Sequence, residues 1–104
     1  MSAPVMASKP LFALGMIVAT PGVIEAVAPE LKLACLMRHV RGDFGCVCGD
    51  DAAANREAIT AGDRIISAYP IDPSKPSAGF GANTFWIITE ADRSVTTFLL
   101  PDEY

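Results

Sequence analysis

The strongest pattern of apolar positions lies near the end of the chain. Residues 85–90 (FWIITE) and 94–100 (SVTTFLL) are rich in aromatic and β-branched side chains, which favour strands. The intervening Ala91-Asp92-Arg93 has the composition of a turn. These residues therefore predict a hairpin that is built into a sheet.

A third strand is predicted before this hairpin, over residues 64–71 (RIISAYPI). Alternation of side chains along a strand predicts one face with Ile65, Ser67 and Tyr69 and another with Ile66 and Ala68. Residues 72–84 (DPSKPSAGFGANT) join the two elements and are rich in Pro, Gly and Ser. This connection is longer than a hairpin needs, so we expect a mobile loop or a contact with a partner.

Three helices are predicted between Thr20 and Gly62. A Thr-Pro pair starts a short helix over residues 21–28, and Pro29 starts a second helix that runs to about Val40. A third helix begins at Asp50 or Asp51 and ends at Gly62. The apolar residues expected to face the core from the second helix are Leu33, Leu36, Met37 and Val40. Arg38 and His39, at its end, suit the helix dipole.

The first apolar run, residues 11–19, predicts a buried strand rather than an export signal, because it contains Gly15 and is followed by Pro21-Gly22. Residues 1–10 are expected to form a flexible N-terminal tail. The element order becomes β, α, α, α, β, β, β. We therefore predict a single α+β domain over residues 11–104, an antiparallel meander of three C-terminal strands with the helices packed on one face. The first strand is a possible fourth member of the sheet, and its place is left open.

Composition narrows the functional classes. The net charge is −4 over 104 residues, which argues against binding to duplex nucleic acid. No apolar run is long enough to cross a membrane. An odd number of cysteines without a secreted-domain pattern indicates a reducing compartment, so a cytoplasmic location is expected.

One group of residues has the chemistry of a metal site. Cys35 and His39 are four residues apart on a predicted helix, and Cys46 and Cys48 are two apart in a loop. Four nitrogen and sulfur ligands could hold zinc. The alternative, which we favour, has no metal and no cofactor: two small thiols in the core or loop and a histidine at a helix end. A His39–Asp43 acid/base pair is also conceivable, but no set of catalytic residues is identified.

The polar residues around the hairpin are the sequence's best candidate for a partner-binding surface. Charged side chains at the turn and the terminus could form an acidic rim around exposed aromatic anchors, an arrangement typical of protein interfaces. The residues of this predicted surface are Phe44, Trp86, Glu90, Asp92, Arg93, Asp102, Glu103 and Tyr104, with Phe80 as a further anchor. The competing interpretation is a solvated turn.

Four segments carry a resemblance to a known family: LFALGMIVATPGVIEAV, RHVRGDFG, NREAITAGDRIISAY and WIITEADRSVTTFLLPDEY. With these the chain resembles a family of small bacterial proteins carried by plasmids and integrative elements. Members are described as plasmid-related, and some are labelled type I restriction endonuclease subunit M. The chain lacks the Asn/Asp-Pro-Pro-Tyr/Phe motif of a methyltransferase. It also departs from the family in Phe44, where Trp is expected, and in the long 72–84 loop.

The resemblance implies a mobile genetic element and no specific activity. We therefore expect a non-enzymatic accessory protein that binds a host protein. Anti-CRISPR or anti-restriction activity, by binding a CRISPR or restriction effector, is the expectation that this setting suggests. Two alternatives remain: a small zinc- or thiol-dependent protein, and a domain that forms a homodimer through an exposed sheet edge.

Overall fold

The computed structural model describes residues 9–104. The predicted tail therefore lies outside the described residues except for Lys9 and Pro10. The elements are β1 (Met16–Ala19), α1 (Pro21–Ala26), α2 (Pro29–Val40), α3 (Gly49–Ala61), β2 (Ile65–Pro70), β3 (Thr84–Thr89), β4 (Val95–Leu99) and a short 3₁₀ helix (Pro101–Glu103). The predicted order of strands and helices is confirmed.

The four strands form one sheet in the order β1-β4-β3-β2. The last three strands are an antiparallel meander, as predicted, and β1 lies parallel to β4 with Met16 opposite Val95. The architecture is therefore α+β with a mixed sheet. Among the described residues, no helix has both the length and the apolar composition that crossing a bilayer requires.

Proline and glycine determine where the helices begin and end. Pro21 and Pro29 occupy the first turns of α1 and α2. Ala28, which precedes Pro29, has extended dihedral angles of −61° and 143°, because the proline ring disfavours a helical conformation before it. For this reason α1 ends at Ala26 and not at Ala28. Gly62 ends α3 in the left-handed conformation, with φ of 80°.

The predicted core face of α2 is wrong in part. Leu36 and Val40 are buried, but Leu33 is 61% exposed and Met37 is 37% exposed. The buried stripe instead includes Cys35 and His39. A prediction from apolar residues alone misplaces this stripe, because it leaves out His39. This side chain can be buried because hydroxyl groups in the core form hydrogen bonds with both of its ring nitrogens.

The first strand is shorter and more exposed than predicted. It starts at Met16, because Gly15 takes a left-handed conformation with φ of 65° against the backbone of Ser94. The preceding residues cross the end of α2, where Leu11 N–H donates to the Val40 carbonyl (2.8 Å). β1 forms an edge of the sheet, so Met16, Ile17 and Val18 are exposed, and Ala19 is only partly buried.

The outer edge of β2 is covered by the side chain of Asn55 and by the loop that contains residues 44–46. The Asn55 amide of α3 pairs with both backbone groups of Ile66, at 2.8 and 3.1 Å. Ala68 N–H donates to the Phe44 carbonyl (3.1 Å), and Cys46 N–H donates to the Ala68 carbonyl (2.7 Å). Pro70 has no N–H to satisfy. The described part of this edge therefore presents no pairing site to another strand.

Candidate binding cleft

The sheet has a helix-covered face and an opposite face, and the opposite face contains a cleft. Alternation along the strands places Tyr69 and Phe85 under α1 and α2, and Ile66, Ala68 and Trp86 on the other side. The cleft there has a volume of about 560 Å³. We call it the aromatic cleft. Its lining includes Ile66, Ala68 and Trp86 of the sheet, together with Cys46, Cys48, Asp51, Asn55, Arg64, Gly79, Phe80 and Tyr104.

Trp86 is held in place at the centre of the cleft. Its indole Nε1–H donates to the Gly79 carbonyl at 2.9 Å. Its ring meets that of Tyr104 edge to face, with centroids 5.7 Å apart and an interplanar angle of 72°. Such a pair adds about 0.5–1.5 kcal/mol beyond its area burial. The indole face that remains accessible is thus presented in a fixed orientation.

Arg64 joins the C-terminal tyrosine to the hairpin. Its guanidinium donates to the Tyr104 hydroxyl (2.5 Å) and forms an ion pair with Glu90 (3.3 Å). The hydrogen bond to Tyr104 and the charge of Glu90 raise the pKa of Arg64. Tyr104 is 68% exposed. Arg64 and Tyr104 therefore lie together in the lining of the cleft, and Glu90 holds Arg64 from outside it. Glu90 and Tyr104 belong to the surface predicted from sequence.

The loop between β2 and β3 forms a wall of the cleft. Its turns are fixed by Asn83, whose Oδ1 accepts from Asp72 N–H (2.8 Å) and whose Nδ2 donates to three carbonyls, those of Asp72, Lys75 and Pro76 (each 3.2 Å). Gly79 has φ of 94° and lies against the Cys46 carbonyl. Next to this fixed glycine, Phe80 is 69% exposed. The loop that was expected to be mobile or partner-binding is hydrogen-bonded and displays an aromatic ring at the cleft.

Two carboxylates lie at the start of α3, and one of them, that of Asp51, is in the lining of the cleft. Asp50 and Asp51 occupy the first turn of α3, whose N-cap is Cys48. Neither aspartate caps the helix through its side chain, in contrast to the prediction. Both are exposed, and within residues 9–104 neither forms an ion pair. The cleft therefore combines a mostly apolar lining with one carboxylate side chain, that of Asp51.

Several residues of the predicted surface instead stabilise the fold. Phe44 is only 3% exposed, so it cannot be a surface anchor. Asp92 accepts from Ser94 N–H (3.0 Å), and hydrogen bonds from Ser94 lower its pKa. Arg93, with φ of 61°, donates to the carbonyls of Asp63 (2.7 Å), Glu90 (3.1 Å) and Ala58 (2.8 Å).

The terminal acids divide between a structural role and an exposed position. Glu103 accepts hydrogen bonds from the Thr20 hydroxyl (2.5 Å) and from the N–H groups of Gly22 and Leu100 (both 2.9 Å). These bonds, that of Thr20 above all, lower its pKa. Glu103 thus connects the C-terminus to the start of α1. Asp102 is exposed and borders a second, smaller cavity beside Pro101.

The residues of the zinc alternative are not brought together. Among residues 9–104 no three His, Cys, Asp or Glu side chains are placed to hold a metal ion. Both ring nitrogens of His39 have hydroxyl partners. Burial raises the pKa of Cys35, which disfavours the thiolate that zinc requires. Cys46 and Cys48 lie in the lining of the aromatic cleft.

His39 is the centre of a buried hydrogen-bond chain. Thr96 Oγ1 donates to the Leu14 carbonyl (2.7 Å), so it must accept from Thr89 Oγ1 (2.8 Å). Because the Thr89 proton is then used, its oxygen accepts from His39 Nε2–H (2.9 Å), and His39 Nδ1 accepts from Ser67 Oγ–H (2.6 Å). This chain assigns the neutral Nε2–H tautomer.

Burial lowers the pKa of His39 to about 4. Asp43 is not its partner, since that carboxylate binds Arg38 at 2.8 and 3.1 Å. The acid/base pair that the sequence left conceivable is therefore not formed, and the helix-dipole role expected of His39 is wrong. The histidine joins two apolar clusters, around Tyr69 and around Ile65, through a polar layer.

Sequence reasoning missed Arg64, Asn55 and Ile66 as cleft residues. A usable signal was present for Ile66, because alternation had already separated it from Ile65, and pairing β2 with β3 places it opposite Ile88, on the same face of the sheet as Trp86. Arg64 and Asn55 carry no such signal.

Comparison with protein-family models, curated proteins and solved structures gives no significant match for the chain.

Proposed function

We propose that the chain is a non-enzymatic interaction protein and that it binds a host protein through the aromatic cleft. The observation that carries the proposal is the set of aromatic side chains there: Trp86 fixed by two contacts, with Phe80 and Tyr104 largely exposed beside it. Aromatic anchors that are rigid before binding lose little conformational entropy on binding and dominate many interfaces.

The chemistry of the cleft restricts its occupant. A volume of about 560 Å³ suits one or two apolar side chains rather than a folded element. The carboxylate of Asp51 in the lining favours a neighbouring cation, whereas Arg64 is already paired with Glu90. The proposed ligand is a protein segment with a large apolar side chain next to Lys or Arg.

The resemblance to plasmid and integrative-element proteins suggests which host protein this is. Mobile elements meet restriction and CRISPR systems in the cytoplasm. Effectors of both systems bind nucleic acid and carry basic segments, which would complement the Asp51 carboxylate in the cleft. The proposed activity is therefore anti-restriction or anti-CRISPR, achieved by binding an effector and not by chemistry.

A matched pair of variants tests the proposal. Phe80→Asp places a charge in the cleft, and Leu33→Asp places the same charge on α2, at similar exposure (69% and 61%). Each protein is used for affinity capture from a host lysate, and each is expressed in cells challenged with phage or plasmid. We expect wild type and Leu33→Asp to capture the same restriction or CRISPR effector and to lower restriction, and Phe80→Asp to do neither.

Two outcomes would overturn the proposal. The first is capture without any defence effector, together with unchanged restriction. The second is an effector that binds Phe80→Asp as tightly as wild type, which would exclude the cleft as its site. Trp86 provides a direct check with purified effector, because it is the single tryptophan of the chain and its emission should change on binding.

A further inference from the structure

The β1 edge of the sheet is open. In a parallel ladder, backbone groups of alternate residues point to opposite sides of a strand. Met16 N–H donates to Ser94 and Thr20 N–H to Phe98, so the even-numbered residues face β4. The N–H and C=O groups of Ile17 and Ala19 therefore point away from the sheet. No described residue pairs with this side of β1.

The side chains of β1 are also unusual for an edge strand. Met16, Ile17 and Val18 are 68%, 49% and 38% exposed, and the strand contains no charge, proline or bulge. Those are the devices by which sheet edges normally avoid pairing. The other edge, β2, is covered by Asn55 and the 44–46 segment. Within residues 9–104 the sheet thus has one open edge, and it is apolar.

We propose that this edge pairs with the same edge of a second copy, in an antiparallel arrangement with a twofold axis through Val18. In this register Ile17 lies opposite Ala19 of the second copy, and Ala19 opposite its Ile17. All four outward backbone groups of each chain are then used, in four hydrogen bonds. No other register of β1 on itself uses them all, which is why a second copy suits this edge.

The length of the strand sets the strength of the dimer. β1 has four residues, and pairing at this length buries less than the roughly 800 Å² per partner of a standard interface. The dimer is therefore weak and depends on concentration. It does not rest on the function proposed for the aromatic cleft, which lies at the β2 and β3 side of the sheet.

Sedimentation velocity and light scattering from about 10 μM to about 1 mM test the proposal. We expect wild type to change from monomer to dimer over this range. Ile17→Pro removes one outward N–H without affecting pairing to β4, and Val18→Lys places two ammonium groups directly opposite each other. Each variant should weaken the dimer about tenfold or more. Phe80→Asp, in the cleft, should dimerise as wild type does.

A mixture of two Val18 variants provides the decisive test of the pairing. Val18→Lys and Val18→Asp are each expected to be monomeric, whereas their equimolar mixture should dimerise, because lysine then faces aspartate across the twofold axis. A wild type that stays monomeric at about 1 mM overturns the proposal. So does a dimer that both Ile17→Pro and Val18→Lys leave intact, or a mixture that stays monomeric. Circular dichroism confirms that each variant is folded.

Discussion

Mild acid should destabilise the protein through His39. The chain has a single histidine, which is fully buried, and burial lowers its pKa from 6.5 to about 4. Its ring contacts are the hydroxyls of Ser67 and Thr89 and the ring of Phe12, centroids 5.2 Å apart. None of these three neighbours carries a charge that could stabilise an imidazolium.

The sign and the size of this pH effect follow from the linkage between proton binding and folding. Between pH 6.5 and 4 the unfolded chain binds a proton at His39 and the folded chain does not, so the free energy of unfolding falls as the pH falls. A shift of about 2.5 pH units corresponds to a loss of about 3 kcal/mol by pH 4. Hydrogen-bonded carboxylates such as Asp43 and Glu103 have pKa values lowered from 3.8 and 4.5, so their contribution is lost only as the pH falls below those unfolded values.

Urea unfolding at half-unit steps from pH 7.5 to pH 4.5, followed by Trp86 emission and circular dichroism, measures this slope. The control is His39→Gln, whose amide can donate to Thr89 and accept from Ser67 but does not titrate. We expect it to be less stable at pH 7 and nearly independent of pH between 6.5 and 4.5. The NMR titration of His39 itself needs no variant. A pKa near 6.5 in the folded protein, or a flat wild-type stability over this window, would refute the reasoning.

Three further comparisons between variants test the structural roles assigned above, each by chemical denaturation. Asn55→Ala removes both hydrogen bonds to Ile66 and should lower the free energy of unfolding by about 2 kcal/mol, and Asn55→Asp should lie between this variant and wild type. Equal stability of wild type and both variants would contradict the role of Asn55 in covering the β2 edge. Arg93→Ala should be less stable than Arg93→Gly by about 1 kcal/mol, since both lose the carbonyl contacts but glycine accepts the positive φ; the reverse order would exclude strain there. Gly45→Ala should lower the free energy of unfolding by about 3 kcal/mol or more, because its Cβ would meet the Ala68 carbonyl. Gly62→Ala should lower it by only about 1 kcal/mol, because the space around this residue is open. Similar losses in the two variants would rule out the close approach at Gly45.

Helices and strands with local signals were predictable from sequence. Pro29 and Gly62 determine a start and an end through their own dihedral angles, and the alternation in residues 65–69 needs no distant partner. The core face of α2 was not predictable in this way. Burial of His39 depends on Ser67 and Thr89, which the chain supplies 28 and 50 residues later.

The candidate surface shows the same division. Trp86 and Tyr104 were identified because they are aromatic residues beside the charged residues of the turn and the terminus. Composition could not tell that Arg93 and Glu103 are used internally, since a charged side chain that binds backbone groups looks the same in sequence as one that is free. Asn55 and Arg64 enter the cleft only because α3 lies along β2 and because Arg64 reaches the hydroxyl of Tyr104.

The two proposed surfaces have a geometric consequence when they are combined. A twofold axis through Val18 in an antiparallel strand pair runs perpendicular to the sheet. The sheet faces that carry the aromatic clefts therefore lie on the same side of the dimer. The aromatic clefts lie near β2 and β3, away from the axis at β1, and pairing of the edges leaves both accessible. A weak dimer would therefore act as a bivalent binder. Binding of the first cleft to an oligomeric target raises the effective concentration of the second, so a modest affinity per cleft suffices for tight binding to a target that repeats the same site.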